Sequence, residues 1–219
     1  ADCLITDCRT AELSKLVENS FRDVNIAFAN ELSLICDKLK INVWKMIELA
    51  NHHPRVNILK PGPGVGGHCI AVDPWFIVNS APDESKLIRA ARLVNDAKPN
   101  FIIDKINQAV DSTGRKKSDL IISCLGLTFK PDIDDLRESP ALNIAKQIDF
   151  MGFKDVLLVE PNITKTPEGF KIGTEVTSME EVLKVADIVV LLVDHIQFKE
   201  MDLDLLSGKK IVDTRGIWT

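Results

Sequence analysis

The stretch from Ala11 to Leu39 contains neither proline nor glycine, and its apolar residues recur at the spacing of an α-helix. Thr10 is a suitable N-cap, so we expect one continuous helix over residues 11–39. About 28 residues at the helical rise span on the order of 40 Å. Because a small domain does not need such a length, this helix is predicted to be a spine between domains or subunits.

The remainder of the first half also has a helical pattern. A second helix is predicted over about 43–51 and a third from Pro82 to about Val110, with Pro99 marking a break or a kink. The polar segment 112–117 then separates two regions of different pattern. We place a domain boundary there, which gives an all-helical domain over 1–112 and a second domain over 113–219.

The second half contains short apolar runs separated by helical segments. The predicted strands are 120–127, 156–159, 188–193 and 211–212. Ser139, followed by Pro140, and Ser178 are expected to cap two of the intervening helices. This alternation predicts an α/β fold with a doubly wound parallel sheet that is covered on both faces.

Composition excludes several classes of function. The net charge is -5 with acids and bases interspersed, which argues against a nucleic-acid partner. No run is apolar enough to span a membrane and no signal peptide is recognisable, so we expect a cytoplasmic protein without a membrane partner. The five cysteines show no C-x-x-C spacing, and therefore no metal site is predicted. The absence of an initiating methionine predicts a piece of a longer protein.

A glycine-rich loop precedes the most reactive residue of the chain. Cys69 and Asp73 stand four residues apart just after this loop. Glycine lets backbone approach a ligand closely, and a thiol presented there can attack a carbonyl carbon. Cys69 is therefore a candidate nucleophile and Asp73 a candidate base or orienting carboxylate. The alternatives are a small buried residue for Cys69 and a turn cap for Asp73.

Two other interpretations of this loop are disfavoured. Gly62, Gly64 and Gly67 satisfy the dinucleotide pattern G-x-G-x-x-G, but the pattern should follow a strand and open a helix, and here a proline lies inside it. A thiol hydrolase that pairs Cys69 with His68 is also disfavoured, because adjacent residues seldom point their side chains at each other.

Several cations are candidates for binding anions. On the long helix Lys15 and Asn19 share one face, which with Arg22 is either an exposed stripe or an oxyanion site. Lys130 and Arg215 follow predicted strands, where they either clamp a diphosphate or are simply solvated. His53 and Arg55 are predicted to bind an anion at the base of the glycine loop.

These residues lie in motifs that are spread over essentially the whole chain, from residue 11 to residue 216. The motifs are AELSKLVENSFRDVN (11–25), HPRVNILKPGPGVGGHCIAVDPW (53–75), GLTFKP (126–131), DDLRESP (134–140) and VDTRG (212–216). With them the chain resembles the UDP-glucose/GDP-mannose dehydrogenase family. The resemblance implies a central helical domain that dimerises through the long helix and a C-terminal domain that binds the UDP-sugar. It also implies a separate NAD-binding domain outside this chain, so we expect the chain alone to be inactive.

The resemblance also implies roles for individual residues. Cys69 would attack the C6 aldehyde of the sugar, Lys15 and Asn19 would stabilise the oxyanion, and Asp73 would help to activate water. The residues implied in substrate binding are Arg22, His53, Arg55, Lys60, Gly66, Lys130, Pro131 and Arg215, with His53 and Arg55 reaching across the dimer. NAD would be approached by Arg137 and by the backbone at Cys69 and Ile70.

The expected reaction is NAD-dependent oxidation of a UDP-sugar at C6 to the carboxylate. Trp75 and the short spacing from His53 to Cys69 resemble the branch that oxidises UDP-N-acetylmannosamine. The alternatives are a UDP-glucose 6-dehydrogenase and a non-catalytic, dimeric nucleotide-binding module.

Overall fold

The computed structural model describes residues 3–218. The helices are α1 (Cys8–Leu39), α2 (Val43–Ala50), α3 (Asp73–Ser80), α4 (Lys86–Asp111), α5 (Pro140–Asp149), α6 (Met179–Val185) and α7 (Ile196–Lys199). The strands are β1 (Ile121–Leu125), β2 (Asp155–Val159), β3 (Ile188–Leu191) and β4 (Lys210–Asp213). A helical first half is thus followed by an α/β second half, as the sequence predicts.

The long helix α1 is continuous but begins earlier than predicted. Its N-cap is Asp7, whose carboxylate accepts a hydrogen bond from the Thr10 backbone N–H at 3.1 Å. A carboxylate is a good acceptor at a helix N-terminus, so three more residues enter the first turn. The helix ends where Lys40 adopts a left-handed conformation. The prediction of Thr10 as the cap is therefore wrong. That of one long continuous helix is confirmed, and its role as a spine stays a prediction.

Helix α4 packs parallel to α1, because Asp23, Asn30 and Asp37 of α1 bond in turn to Arg92, Asn95 and Lys105 of α4. It then continues into the sheet domain. It contains Pro99 and continues through it, so the predicted break is absent, and the alternative of a kink stays a prediction. Its C-terminal half buries Ile102, Ile106 and Val110 in the same hydrophobic cluster as Ile122 of β1. One helix thus supplies core to both halves of the molecule, and the boundary at residue 112 remains a prediction.

The four strands form one parallel sheet in the order β2-β1-β3-β4. Helices α4 and α5 cover one face, and α6 and α7 cover the other. The two central strands, β1 and β3, are almost wholly buried, as expected of a parallel sheet with both faces covered. The prediction of a doubly wound sheet is confirmed.

The strand order creates a crevice at one edge of the sheet. The chain leaves β1 towards β2 on one side and leaves β3 towards β4 on the other. Between strands whose connections diverge in this way, a crevice opens at the carboxyl ends, and doubly wound proteins bind ligands there. The segments that follow β1, β3 and β4 carry Lys130, Asp194 and Arg215, which places the two predicted cations, Lys130 and Arg215, at this crevice.

Candidate active site

Cys69 lies in a tight turn that leads directly into α3. Its carbonyl oxygen accepts hydrogen bonds from the N–H groups of Val72 at 3.0 Å and Asp73 at 2.8 Å. The thiol is half-buried, and Asp73 is the first residue of the helix. The turn therefore places the sulfur and the carboxylate on one compact unit with access to solvent. The alternative of Cys69 as a buried core residue is wrong.

Helix α1 brings a third polar group to this unit. Asn19 is 5% exposed and donates from Nδ2 to Asp73 Oδ2 at 2.5 Å. Its burial excludes the interpretation of residues 15–22 as a wholly solvated face. One amide proton is held by the carboxylate, and the second is available to another acceptor.

Lys15 lies one helical turn before Asn19 and is exposed. Its ammonium donates to Glu18 at 2.9 Å. That hydrogen bond and the Glu18 charge raise the pKa of Lys15, with smaller contributions from the negative charges of Cys69 and Asp73. Lys15 is therefore a protonated cation at neutral pH, near enough to the thiol and the carboxylate to interact with both electrostatically.

A second cation approaches Cys69 from the sheet domain. Arg137 donates to Asp135 through Nη2 at 2.6 Å, and this partner holds the pKa of Asp135 at about 2. Asp135 first, and the Cys69 sulfur to a smaller extent, raise the pKa of Arg137. The Arg137 carbonyl accepts from the Gly67 N–H at 3.1 Å. Cations from both halves of the molecule, Lys15 and Arg137, thus lie near Cys69.

The glycines of the loop fit against the second half of the molecule. A Cβ on Gly66 would lie 2.5 Å from the Glu138 carbonyl oxygen and 2.8 Å from Pro140 Cδ, and one on Gly62 would overlap the Arg215 guanidinium. No side chain other than hydrogen fits there without displacement. The loop follows no strand, so it is not a dinucleotide fingerprint. It instead connects the thiol to the crevice of the sheet.

The crevice at the strand ends holds three of the predicted substrate-binding residues. Lys130, Pro131 and Arg215 line it together with Gly64, around a cavity of about 70 Å³. Arg215 donates from Nε to Asp194 Oδ1 at 2.8 Å. Burial alone would raise the pKa of Asp194, but Arg215 and Lys199 bring it below its ordinary value. Asp194 thus fixes Arg215 as a charged fork at the crevice.

A buried His–Glu pair supports the segment that carries Lys130. His195 Nδ1 accepts from the Asp132 N–H at 3.0 Å, so its proton is on Nε2, which donates to Glu160 Oε2 at 3.1 Å. Glu160 also accepts from the N–H groups of Leu127 and Thr128. Sequence reasoning assigned no role to His195 or Glu160. Their pairing could not be read from it, because they follow different strands.

A second buried network anchors the glycine loop and was missed altogether. Asn30 Oδ1 accepts from the Gly62 N–H at 2.9 Å, and its Nδ2 donates to Asn95. Asn95 and Arg92 both donate to Asp23 Oδ1, at 2.8 and 2.6 Å. The available signal was the polar residues at 23 and 30 on α1 and at 92 and 95 on α4, which interrupt otherwise apolar helix faces.

Other predicted site residues lie outside these clusters. Lys60 lines a separate cavity with Trp44 and Gly216. His53 and Arg55 are exposed beyond α2, where His53 Nδ1 accepts from the Arg55 N–H at 3.2 Å. Arg22 is exposed on α1 and Ile70 is half-buried. Gly66 contributes to packing within the loop, as described above.

Residues 3–218 contain neither a helix that could span a membrane nor a cluster of metal-binding side chains. No helix there combines the length and apolar character that crossing a bilayer requires. No group of three or more His, Cys, Asp or Glu side chains in that range is arranged to hold a metal ion.

Comparison with known proteins identifies the class of site. Two family models match: the UDP-glucose/GDP-mannose dehydrogenase central domain over residues 9–97 and the UDP-binding domain over 123–219. An NDP-N-acetyl-D-galactosaminuronic acid dehydrogenase from Ralstonia nicotianae is 56% identical over 99% of the chain and 50% of its own length. A UDP-N-acetyl-D-mannosamine dehydrogenase from Escherichia coli is 55% identical over 99% of the chain and 53% of its own length.

A solved structure agrees with these matches. The UDP-D-ManNAc dehydrogenase from Pyrococcus horikoshii superposes with a TM-score of 0.84 and 39% identity, over 97% of this chain and 49% of that one. The chain spans about half the length of the curated relatives it matches. By these matches, the chain belongs to the UDP-glucose/GDP-mannose dehydrogenase family.

Proposed function

We propose that this chain forms the sugar-oxidising and UDP-binding part of an NAD-dependent UDP-sugar 6-dehydrogenase, in which Cys69 is the nucleophile. One observation supports this most directly. The loop that begins at Gly62, against Arg215, ends at Cys69, beside Asn19 and Asp73. A nucleotide sugar whose diphosphate is held at the crevice would thus have its sugar close to Cys69, Asn19 and Asp73.

The thiol is suited to the aldehyde stage of the oxidation. An aldehyde carbon cannot release a second hydride until a nucleophile adds to it, and the Cys69 thiolate would form that bond at C6. The carbonyl oxygen becomes an oxyanion. The ammonium of Lys15 and the free amide proton of Asn19 are placed to stabilise it.

Asp73 positions these groups and then acts on water. Its carboxylate holds the Asn19 amide in one orientation through the hydrogen bond at 2.5 Å. Loss of the second hydride converts the adduct at C6 into a thioester. When water hydrolyses that thioester, the C6–S bond breaks, the acid forms and the thiol is regenerated. Asp73 would accept the proton of that water.

NAD would be held partly by this chain. The exposed guanidinium of Arg137 lies beside Cys69, where it can attract the cofactor diphosphate, and the backbone at Cys69 and Ile70 would border the reacting ring. When bound, NAD accepts the hydrides that the sugar releases. The greater part of its site belongs to the separate domain that the family resemblance implies, so the chain alone is expected to be inactive.

UDP is proposed to bind at the strand-end crevice, its diphosphate between Lys130 and Arg215 with Pro131 below it. Gly66, Lys60 and Arg22 are proposed to contact the rest of the substrate. In the proposed homodimer, the exposed His53 and Arg55 would reach the site of the partner. A cytoplasmic location fits a reaction that consumes a nucleotide sugar and NAD.

The substrate is proposed to be UDP-N-acetyl-D-mannosamine. The names of the relatives given above refer to N-acetylated amino sugars, which favours such a sugar over glucose. UDP-glucose remains the alternative. A comparison of kcat/KM for the two UDP-sugars and for UDP-N-acetylgalactosamine decides between them.

The thiol mechanism is tested in a polypeptide that carries this chain together with an NAD-binding domain. Cys69→Ser is expected to lower formation of the acid by about 1,000-fold or more, because a hydroxyl is a far weaker nucleophile than a thiolate. Cys8→Ser, at an exposed cysteine of α1, is the matched control. Acid production by Cys69→Ser at the wild-type rate would show the mechanism to be wrong.

The nucleotide site is tested separately on the 219-residue chain by calorimetry with UDP. We expect Arg215→Met to lose UDP binding. Arg115→Met should retain it, because Arg115 pairs with Asp187 away from the crevice. Failure of the wild-type chain to bind UDP contradicts the crevice assignment.

A further inference from the structure

A second cavity, unrelated to the thiol cluster, lies between the two halves of the molecule. It has a volume of about 360 Å³, within the range of small-molecule sites. Its walls are the end of α1, the start of α2, the middle of α4 and the end of β4. Lys15, Asn19, Cys69 and Asp73 take no part in it. The proposed dehydrogenase function leaves this cavity without a role.

Lys98 of α4 projects into this cavity as a buried cation. The residue is only 3% exposed, and its Nζ makes no hydrogen bond to any atom of residues 3–218. Its nearest described interaction is with the face of Phe101, whose ring centroid is 4.3 Å away. The stem of the side chain is buried, but Nζ keeps accessible surface that faces the cavity, so the ammonium can bond to an anion that occupies it.

The other charged groups of the cavity already have partners. Asp37 of α1 forms an ion pair with Lys105 of α4. Asp213 of β4 accepts from the N–H groups of Arg215, Gly216 and Trp218. Lys98 therefore forms no ion pair with either of these acids. Burial lowers its pKa to about 8; Asp37 opposes this shift and Lys105 adds to it.

The remaining wall determines the shape of ligand that fits. Two aromatic rings, Trp44 and Phe101, line the cavity together with the aliphatic residues Ile41, Val43, Ile102, Ala109, Ile211 and Val212. A flat apolar body packs well against such side chains. A single buried cation calls for one negative group.

We propose that this cavity binds a small aromatic carboxylate, whose carboxylate accepts from Lys98 Nζ and whose ring packs against Trp44 and Phe101. Two wall residues, Pro61 and Thr214, directly precede Gly62 and Arg215 in the chain. An occupant thus lies beside the nucleotide crevice without touching Cys69.

The probe is 4-fluorobenzoate, titrated into the 219-residue chain and followed by fluorine NMR and by the indole N–H signals of the protein. The chain has three tryptophans, of which only Trp44 lines the cavity. We expect saturable binding that shifts the Trp44 signal, assigned with Trp44→Phe, and leaves those of Trp75 and Trp218 in place. The uncharged 4-fluorobenzamide is expected to bind about tenfold more weakly.

Lys98→Met tests the charge while preserving an unbranched side chain. This variant is expected to bind 4-fluorobenzoate about tenfold more weakly and to bind 4-fluorobenzamide with unchanged affinity. The exposed Lys116→Met is expected to change neither affinity. Raising the pH from about 7 to about 9.5 deprotonates Lys98. In the wild type this is expected to lower the affinity for 4-fluorobenzoate by a similar factor, and in Lys98→Met it is expected to have no such effect. No saturable binding to the wild type at about 10 mM, or equal binding by Lys98→Met, overturns the proposal.

Discussion

At the residue scale, the most consequential buried group is the Arg92 guanidinium. Arg92 is 1% exposed and bonds to Asp23, which is fully buried. Burial raises the pKa of Asp23, and the Arg92 charge opposes that rise. The pair costs desolvation, but it also holds Asn95, and through Asn95 and Asn30 it orients the glycine loop.

Arg92→Met is expected to lower the free energy of unfolding by about 3–5 kcal/mol, because it leaves the Asp23 carboxylate buried without its partner. Urea denaturation of the chain measures this, with the exposed neighbour Leu93→Met as control. The double variant Asp23→Asn with Arg92→Met should recover part of the loss. Similar losses for Arg92→Met and Leu93→Met would contradict the assignment.

The loss should also depend on pH in a defined direction. A carboxyl whose folded pKa is raised binds its proton more tightly in the folded than in the unfolded state. It therefore destabilises the fold above that pKa, and this destabilisation disappears as the pH falls through it. Because Arg92→Met removes the opposing charge, its penalty is expected to be smaller at about pH 5 than at about pH 7. A penalty that grows on acidification would be inconsistent with the pair.

At the element scale, the carboxyl end of β1 depends on Gly126. This residue has φ of 89°, and a Cβ on it would overlap Val193 at the end of β3. Gly152 has nearly the same φ, 84°, but open space around it. The two glycines have similar backbone conformations, but only Gly126 has a neighbouring side chain close by. A comparison of the two alanine variants therefore separates the cost of backbone strain from the cost of steric overlap.

Gly152→Ala is expected to cost about 1 kcal/mol, from the left-handed backbone alone. Gly126→Ala should cost about 1–3 kcal/mol more, because β1 and β3 must move apart at the crevice. Urea denaturation compares the stabilities, and calorimetry with UDP should show weaker binding only for Gly126→Ala. Equal stabilities for the two variants would mean that the strand ends tolerate the extra atom.

The elements themselves were largely predictable, and their polar interiors were not. Apolar periodicity identified α1, α4 and the four strands, since burial of one face imposes that spacing. The short α3 was missed, because the eight residues that begin with Asp73-Pro74 give too little pattern. Pro99 was expected to break or kink α4, yet the helix continues through it, because packing against both halves outweighs one missing hydrogen bond.

The site was predictable to the extent that it is local in sequence. Cys69 and Asp73 lie on one turn, and spacing alone brings them together. The approach of Asn19 to Asp73, and of Arg215 to Gly62, depends on packing between distant segments. Only the family resemblance brought these pairs into one prediction.

At the scale of the whole molecule, α1 keeps an apolar stripe uncovered. Its side chains are 46–69% exposed and lie on one face of the helix: Leu13, Val17, Phe21, Phe28, Ile35 and Leu39. Contiguous apolar surface of this kind marks protein interfaces. It is the surface through which the proposed homodimer would form.

Phe28→Asp is expected to weaken that dimer by about 2–4 kcal/mol, since it places a charge at the centre of the stripe. Analytical ultracentrifugation over a range of concentrations gives the dissociation constant. Leu203→Asp, an exposed apolar position in the sheet domain, is the control. A wild-type chain that sediments as a monomer at all concentrations would rule out this interface.

The glycine loop ties the position of the thiol to the packing between the helices and the sheet. The Gly67 N–H donates to the Arg137 carbonyl, and a Cβ on Gly66 would overlap Pro140. Cys69 follows Gly67 by two residues, and Asp73, on the same turn, accepts from Asn19 of α1. A substitution that displaced the loop from the sheet would therefore also disturb the surroundings of the thiol.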